Sequence, residues 1–179
     1  MHGSAASERH LDAVPDADAV TGTTSFEVFF EEERRRLFRA LYLITGSVQE
    51  AEELTQDAFL KVWERWQRVG AMESPEGYLY RVAMNASRSR YRRLLRAAKG
   101  PLAYEATEDP YGPADARDAV VRAVRALPAR QRQALVSTDL LDLGTETVAS
   151  LMGVTPSTVR SLVSQAHAAL KAAMEDQDE

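Results

Sequence analysis

Wherever apolar residues recur along this chain they do so at helical spacing, and strand-like alternation and internal repeats appear nowhere. A chain patterned in this way has to bury helix stripes against helix stripes, so the fold class is all-α. Phe26, Phe29, Phe30, Leu37, Ala40, Leu41 and Ile44 give one apolar face, which Gly46 ends. Ser47 and Glu50 have the spacing of a capping box, where hydroxyl and carboxylate satisfy orphan amides at a helix start. A second helix is predicted over about 48–66, with Leu54, Ala58, Phe59, Val62, Trp63 and Trp66 as its buried stripe. After a loop at 67–74, Ser74 and Pro75 read as an N-cap and a proline at the first helical position, where its missing amide costs nothing. The third helix spans about 75–96, with Tyr78, Leu79, Val82, Ala83, Leu94 and Leu95 on its apolar side.

The clearest interruption is 97–114, which holds Gly100, Pro101, Pro110, Gly112 and Pro113 and reads as a linker. Beyond it, 116–126 is a helix burying Val120, Val121 and Val124, and Pro128 opens another that runs to about residue 141. A short helix at about 146–152 follows. Gly153 and Val154 make a tight turn, Thr155 caps, and Pro156 begins the final helix, whose stripe is Val159, Leu162, Val163, Ala166, Ala169 and Leu170. The expected architecture is therefore two small helical domains, 26–96 and 115–174, joined by a flexible linker at 97–114. The C-terminal domain contains a helix-turn-helix. Residues 1–25, rich in Ala, Asp, Ser and Thr without periodicity, and 175–179 are read as tails.

Composition removes several functions. Without cysteine there is no disulfide framework, thiolate metal site or cysteine nucleophile, which fits a reducing cytoplasm. No apolar run approaches the roughly 18 residues that a membrane span requires, and residues 1–25 lack the apolar core of a secretory signal. Histidines 2, 10 and 167 are scattered, and no metal-ligand spacing, phosphate-binding glycine loop or nucleophile motif is present. The chain is thus expected to be no enzyme, and to use no cofactor and no metal.

A net charge of −5 argues at first sight against nucleic acid, but its distribution says otherwise. Residues 1–25 and 100–113 each carry −3, and 114–179 carry −2, while 26–99 hold 14 basic against 11 acidic side chains. Within 81–99 there are seven basic residues and no acidic one. Arg81, Arg88, Arg92 and Arg96 recur there at spacings that share a helix face, and Asn85 lies between them. Arginine interleaved with Asn and aromatic residues suits phosphate contact together with base reading or stacking; a solvated helix face is the other reading. The stretch TETVASLMGVTPSTVRSLVSQAHAALK has the pattern of a helix-turn-helix that presents its second helix to a DNA major groove, or of an ordinary helical hairpin. The outer face of AEELTQDAFLKVWERW, with Glu52, Glu53, Gln56, Asp57 and Lys61, reads on pattern alone as solvated surface.

AEELTQDAFLKVWERW, followed about ten residues on by PEGYLYRVAMNASRSRYRR, resembles region 2 of the extracytoplasmic-function group of bacterial RNA polymerase sigma factors. ALPARQRQALV and the helix-turn-helix after it resemble region 4 of the same group. The resemblance covers 26–96 and 115–174. It implies an initiation subunit that binds core RNA polymerase, melts a −10 element and grips a −35 element. Glu53, Gln56, Asp57 and Leu60 would dock on the polymerase clamp helices. Met72 and Ser74, in the loop at 69–74, together with Arg81, Asn85, Arg88, Arg92 and Arg93, would open the −10 element and hold its non-template strand around a flipped base. Thr155, Ser157, Thr158, Arg160, Ser161 and Gln165 would meet the −35 duplex. The expectation is also of a protein that is a monomer when free, with a cytoplasmic location and no membrane partner; the resemblance allows either an anti-sigma factor inserted between the domains as a further partner or an orphan factor controlled by expression. One departure stands out: the final helix of the group is usually basic, and here Leu162, Gln165 and His167 occupy positions where arginine is usual. Every cation missing from that helix removes a partner for a phosphate, which weakens binding and its salt dependence. Two readings compete: a plain helix-turn-helix regulator, which explains 115–174 but not the first domain, and a sigma-like decoy or co-regulator that binds polymerase or an anti-sigma factor without strong −35 readout.

Overall fold

A computed structural model describes residues 25–97 and 116–175, and all its regular elements there are helical. The expected tails and linker fall outside the described residues, except that Ser25 caps the first helix and Ala97 and Glu175 end two others. In order, the elements are α1 (Phe26–Thr45), α2 (Val48–Trp63), α3 (Trp66–Val69), α4 (Pro75–Ala97), α5 (Ala116–Ala126), α6 (Ala129–Leu135), a π-helical segment (Val136–Leu140), α7 (Thr145–Met152) and α8 (Pro156–Glu175). No helix among the described residues is long and apolar enough to cross a membrane.

Helix ends follow local chemistry. The Ser25 hydroxyl accepts from the Val28 amide, and Gly46, at φ 79°, closes α1 in the left-handed conformation that glycine adopts without penalty. Ser47 caps α2 by accepting from the Glu50 amide at 3.2 Å. The expected single helix over 48–66 is instead two. The Arg65 amide bonds to the Val62 carbonyl at 3.0 Å, a tight turn that resets the register before α3. Trp63, the last residue of α2, is 53% exposed beside the buried stripe, while Trp66 packs against the core.

α1, α2 and α4 form the first domain around Leu37, Leu41, Leu54, Phe59, Val62, Leu79 and Ala83. Phe38, Tyr42, Tyr80 and Met84 are buried as well, although they lie outside the apolar faces read from the sequence. In the second domain α6 and α7 pack on α8 around Leu135, Val148, Leu151, Val159 and Ala166. α5 lies on α1 and α8, using Val121 and Val124. Val120, expected to be buried, falls beside that stripe and is 44% exposed, and Ala169 is exposed on α8. The helix expected after Pro128 changes to π-helical hydrogen bonding from Val136, which rotates Asp139 outward. The two domains also pack on each other: α1 meets α5, α6 and the π-helical segment, α4 meets α7, and the buried side chains form one cluster.

Candidate nucleic-acid interface

The basic face of α4 begins at a capped N-terminus. The Ser74 hydroxyl accepts from the Gly77 amide at 3.1 Å and donates to a Glu76 carboxylate oxygen at 2.6 Å. A Cβ on Gly77 would stand 2.7 Å from that hydroxyl, so the glycine leaves room for the cap. Met72, just before it, is half-buried against the core. Further along, Arg81, Asn85, Arg92 and Arg93 are all exposed. Arg81, Asn85 and Arg92 are separated by four and then seven residues, which aligns them on one flank of the helix. Arg88 departs from this row. Its guanidinium is half-buried and donates to the Leu151 carbonyl of α7 at 2.7 Å.

On α2, the Gln56, Asp57 and Leu60 side chains are exposed and border a groove completed by Phe26, Phe30, Phe59 and Trp63. The aromatic rings lock edge to face, with Phe26 to Trp63 and Phe30 to Phe59 both at 4.8 Å. Leu60 is 57% exposed, so the groove carries apolar surface open to solvent beside an acidic rim. Glu53 sits one turn away and is tied to α4: its carboxylate accepts from Arg90 at 2.6 Å and from Gln49 at 3.1 Å. These two hydrogen bonds hold its carboxyl below the usual carboxylate range, the arginine having the larger effect. Arg90 also pairs with Glu50 at 3.3 Å, but burial of Glu50 outweighs that attraction and raises its carboxyl above the usual value. Sequence reading found the acidic face. It missed the aromatic floor, because Phe26 and Phe30 come from a different helix.

The helix-turn-helix is built on Gly153, at φ 67°, with the Val154 amide returning to the Ala149 carbonyl at 3.0 Å. The Thr155 hydroxyl caps α8 by accepting from the Thr158 amide at 3.2 Å and lies 2.9 Å from the Ser157 hydroxyl. Thr155, Ser157, Arg160, Ser161 and Gln165 are exposed and Thr158 is half-buried, so these residues share the outer flank of the first three turns. Gln165 accepts a hydrogen bond from the Gln131 amide of α6 at 3.0 Å. Of the three positions where arginine was expected, Leu162 is half-buried against the core, which explains its apolar character. His167 faces out and meets Asp139 of the π-helical segment at 2.6 Å. That partner has no signature in the sequence, since the π-helical turn alone brings Asp139 across from α8.

Comparison with known proteins places this geometry among relatives. The sigma-70 region 2 family model matches residues 29–97, and the sigma-70 region 4 model matches 117–170. The chain is 30% identical over 152 residues to the ECF RNA polymerase sigma factor SigM of Mycobacterium tuberculosis, covering 82% of this chain and 75% of that protein. It is 29% identical over 177 residues to SigG of the same species, but spans only 48% of SigG's length. The fold is shared with the sigma factor RpoE of Bartonella quintana, solved in complex with the anti-sigma factor NepR, at a TM-score of 0.65 and 23% identity over 84% of this chain and 96% of that one. CnrH, solved with the cytosolic domain of CnrY, superposes at a TM-score of 0.53 and 19% identity, over 86% of this chain and 89% of that one.

Proposed function

This chain belongs to the extracytoplasmic-function group of the sigma-70 family, and from that membership we propose that it binds core RNA polymerase and directs promoter-specific initiation in the cytoplasm, without catalysing a reaction of its own. Residues 26–96 act as region 2 and 115–174 as region 4. The observation that carries this reading is the exposed row of Arg81, Asn85 and Arg92 on α4, with Arg93 beside it, in a segment that holds no acidic side chain. A strand of DNA laid along that row meets guanidinium groups for its phosphates and one amide that can pair with a base edge. Ser74 and Met72, at the start of the helix, border the place where a flipped −10 base is received. Flipping costs a few kcal/mol, which contacts to the received base have to recover.

Polymerase docks on the α2 groove. Gln56, Asp57 and Glu53 supply a polar rim, and Leu60 with the aromatic floor supplies exposed apolar area beside it, the pairing from which interfaces draw most of their affinity. The −35 duplex meets Thr155, Ser157, Thr158, Arg160, Ser161 and Gln165 on α8. The protein is a monomer when free, and an anti-sigma factor is a further partner.

A second reading is favoured by α8 itself, whose 20 residues include only Arg160 and Lys171 as basic side chains. In it the chain binds polymerase or an anti-sigma factor as a decoy or co-regulator, with little −35 readout. Run-off transcription with purified core polymerase on promoter fragments separates the two. Specific starts that Asn85→Ala abolishes support the sigma factor; tight polymerase binding without starts supports the co-regulator.

A further inference from the structure

His167 is the one histidine among the described residues, and it stands on α8 in a stripe with Arg160 and Ser164, spaced by four and then three residues. Across from it is Asp139, both of whose carboxylate oxygens are engaged. One accepts from the Thr138 hydroxyl at 2.7 Å, and the other meets His167 Nε2 at 2.6 Å. An ionised carboxylate only accepts, so Nε2 carries the hydrogen of this bond whether the ring is neutral or charged. The other ring nitrogen, Nδ1, then decides what His167 offers. In the neutral ring it presents a lone pair, which a phosphate oxygen repels. In the imidazolium it presents an N–H, to which a phosphate oxygen is a strong acceptor.

The charges around the ring sharpen this difference. The shallow pocket that His167 lines holds Asp139 from the π-helical segment, Arg160 from α8 and, from the start of α7, the uncharged Thr145. α5 and α6 also pack on α8 but do not line the pocket. Lys171, one turn farther along α8, pairs with Glu175 at 3.7 Å. With the ring neutral, the pair of Asp139 and His167 therefore shows a net negative charge to an approaching phosphate; with the ring protonated, the pair is neutral. The His167 side chain is 56% exposed, so a DNA backbone can reach it. Histidine is also the side chain whose charge ordinarily changes between pH 5 and 8. We propose that this pair is a proton-gated phosphate contact: His167 joins Arg160 in holding the backbone of duplex DNA only as the imidazolium, so that DNA binding takes up a proton and tightens as pH falls. Arg160 and His167 stand about 10 Å apart along the helix, so they address separate phosphates. The proposal rests on the reading of α8 as the helix that faces duplex DNA.

The test titrates the full chain against a fluorescent duplex of mixed sequence at low salt, at pH 8 and at pH 6, with circular dichroism reporting that the helices persist. The affinity of the unmodified protein should rise about fivefold on acidification, the gain expected if the complex holds one proton about tenfold more tightly than the free protein does. His167→Gln has no proton to take up there and should lose that gain. His167→Arg carries a permanent cation, so it should bind at pH 8 as tightly as the unmodified protein does at pH 6, with no gain on acidification. His2 and His10 are present in every variant, so whatever they contribute cancels in the comparison. Arg160→Gln removes a cation that does not titrate in this range, and should weaken binding at both pH values while leaving the gain in place. An unmodified protein without the gain overturns the gate, and so does a His167→Gln variant that keeps it. If Arg160→Gln binds as well as the unmodified protein at both pH values, or if the unmodified protein does not bind the duplex, the α8 reading fails and the proposal with it. Weakening by Arg160→Gln together with a gain that His167→Gln retains leaves the α8 reading standing and overturns the proposal alone.

Discussion

Arg90 of α4 closes on Glu53 of α2 at 2.6 Å and on Glu50, one turn earlier, at 3.3 Å, so a single guanidinium ties the helix that carries the exposed row of Arg81, Asn85 and Arg92 to the helix that borders the aromatic groove. The two carboxylates respond in opposite senses. Glu53 is held below the usual range by its hydrogen bonds, so its contribution to stability is present at neutral pH and disappears as pH falls through its lowered value. Glu50 is raised by burial, so its ionisation opposes folding at neutral pH and its protonation relieves that cost as pH falls.

Arg90→Met should therefore destabilise the protein by up to about 1 kcal/mol at neutral pH, the scale of a partly exposed ion pair. The deficit should narrow on acidification, because without Arg90 Glu50 takes up a proton earlier and Glu53 has no depressed ionisation left to lose. Urea denaturation of both proteins at pH 7 and pH 4 measures the gap. A deficit that widens toward acid would contradict the assignment.

Tyr80 is fully buried in α4, donates its hydroxyl proton to a Glu33 carboxylate oxygen of α1, and lies with its ring 5.6 Å from the Arg36 guanidinium. Burial first, and the Glu33 hydrogen bond second, raise its phenol well above the ordinary tyrosine value. The neutral phenol's stabilisation is fully present below the unfolded value near 10 and vanishes as pH rises through the folded one. Tyr80 should then ionise only as the fold is lost in alkali, read by ultraviolet difference absorbance. Tyr80→Phe should remove that late phase and cost about 1.5–3 kcal/mol of stability, the range for a hydrogen bond to a charged group.

Leu60 offers a separation of stability from binding. Its side chain is 57% exposed, so Leu60→Ala should change the unfolding free energy by no more than about 0.5 kcal/mol. If the α2 groove is the polymerase surface, the same substitution should weaken binding to core polymerase at least about tenfold, the 1.4 kcal/mol expected of a central apolar anchor. Fluorescence anisotropy with labelled protein checks this. Undiminished affinity with a normal melting curve would move the polymerase surface elsewhere.

The sequence carried the helical class, the helix-turn-helix and most helix starts, because caps such as Ser47, Ser74 and Thr155 and turns such as Gly46 and Gly153 act within a few residues of themselves. It misplaced Trp63 and Val120, apolar side chains that stand beside the buried stripes of α2 and α5 rather than on them, because periodicity alone does not mark where a stripe's edge falls. Arginines that bond between the domains were not legible at all. Arg36 and Arg88 donate across to the Leu140 and Leu151 carbonyls, main-chain groups that every residue carries, so no complementary side-chain pattern marks them. The same holds for Asp139, which reaches His167 only because hydrogen bonding turns π-helical at Val136.

Gln165 tests how far the weakly basic α8 limits the −35 contact. It is exposed on the flank shared with Arg160 and Ser161, and its one hydrogen bond among those described, to Gln131, lies at the surface, so replacing it costs the fold little. Gln165→Arg would add one cation to that flank. Each phosphate neutralised by a bound protein releases condensed counterions, which steepens the dependence of log K on log salt by about 0.9. We expect the full-length Gln165→Arg protein to bind a −35 duplex more tightly at low salt, with the slope steeper by about that amount, in titrations at several salt concentrations. A steeper slope places this flank of α8 against the DNA backbone. An unchanged slope, with the fold intact, removes Gln165 from the −35 surface and strengthens the co-regulator reading, in which region 4 reads little DNA.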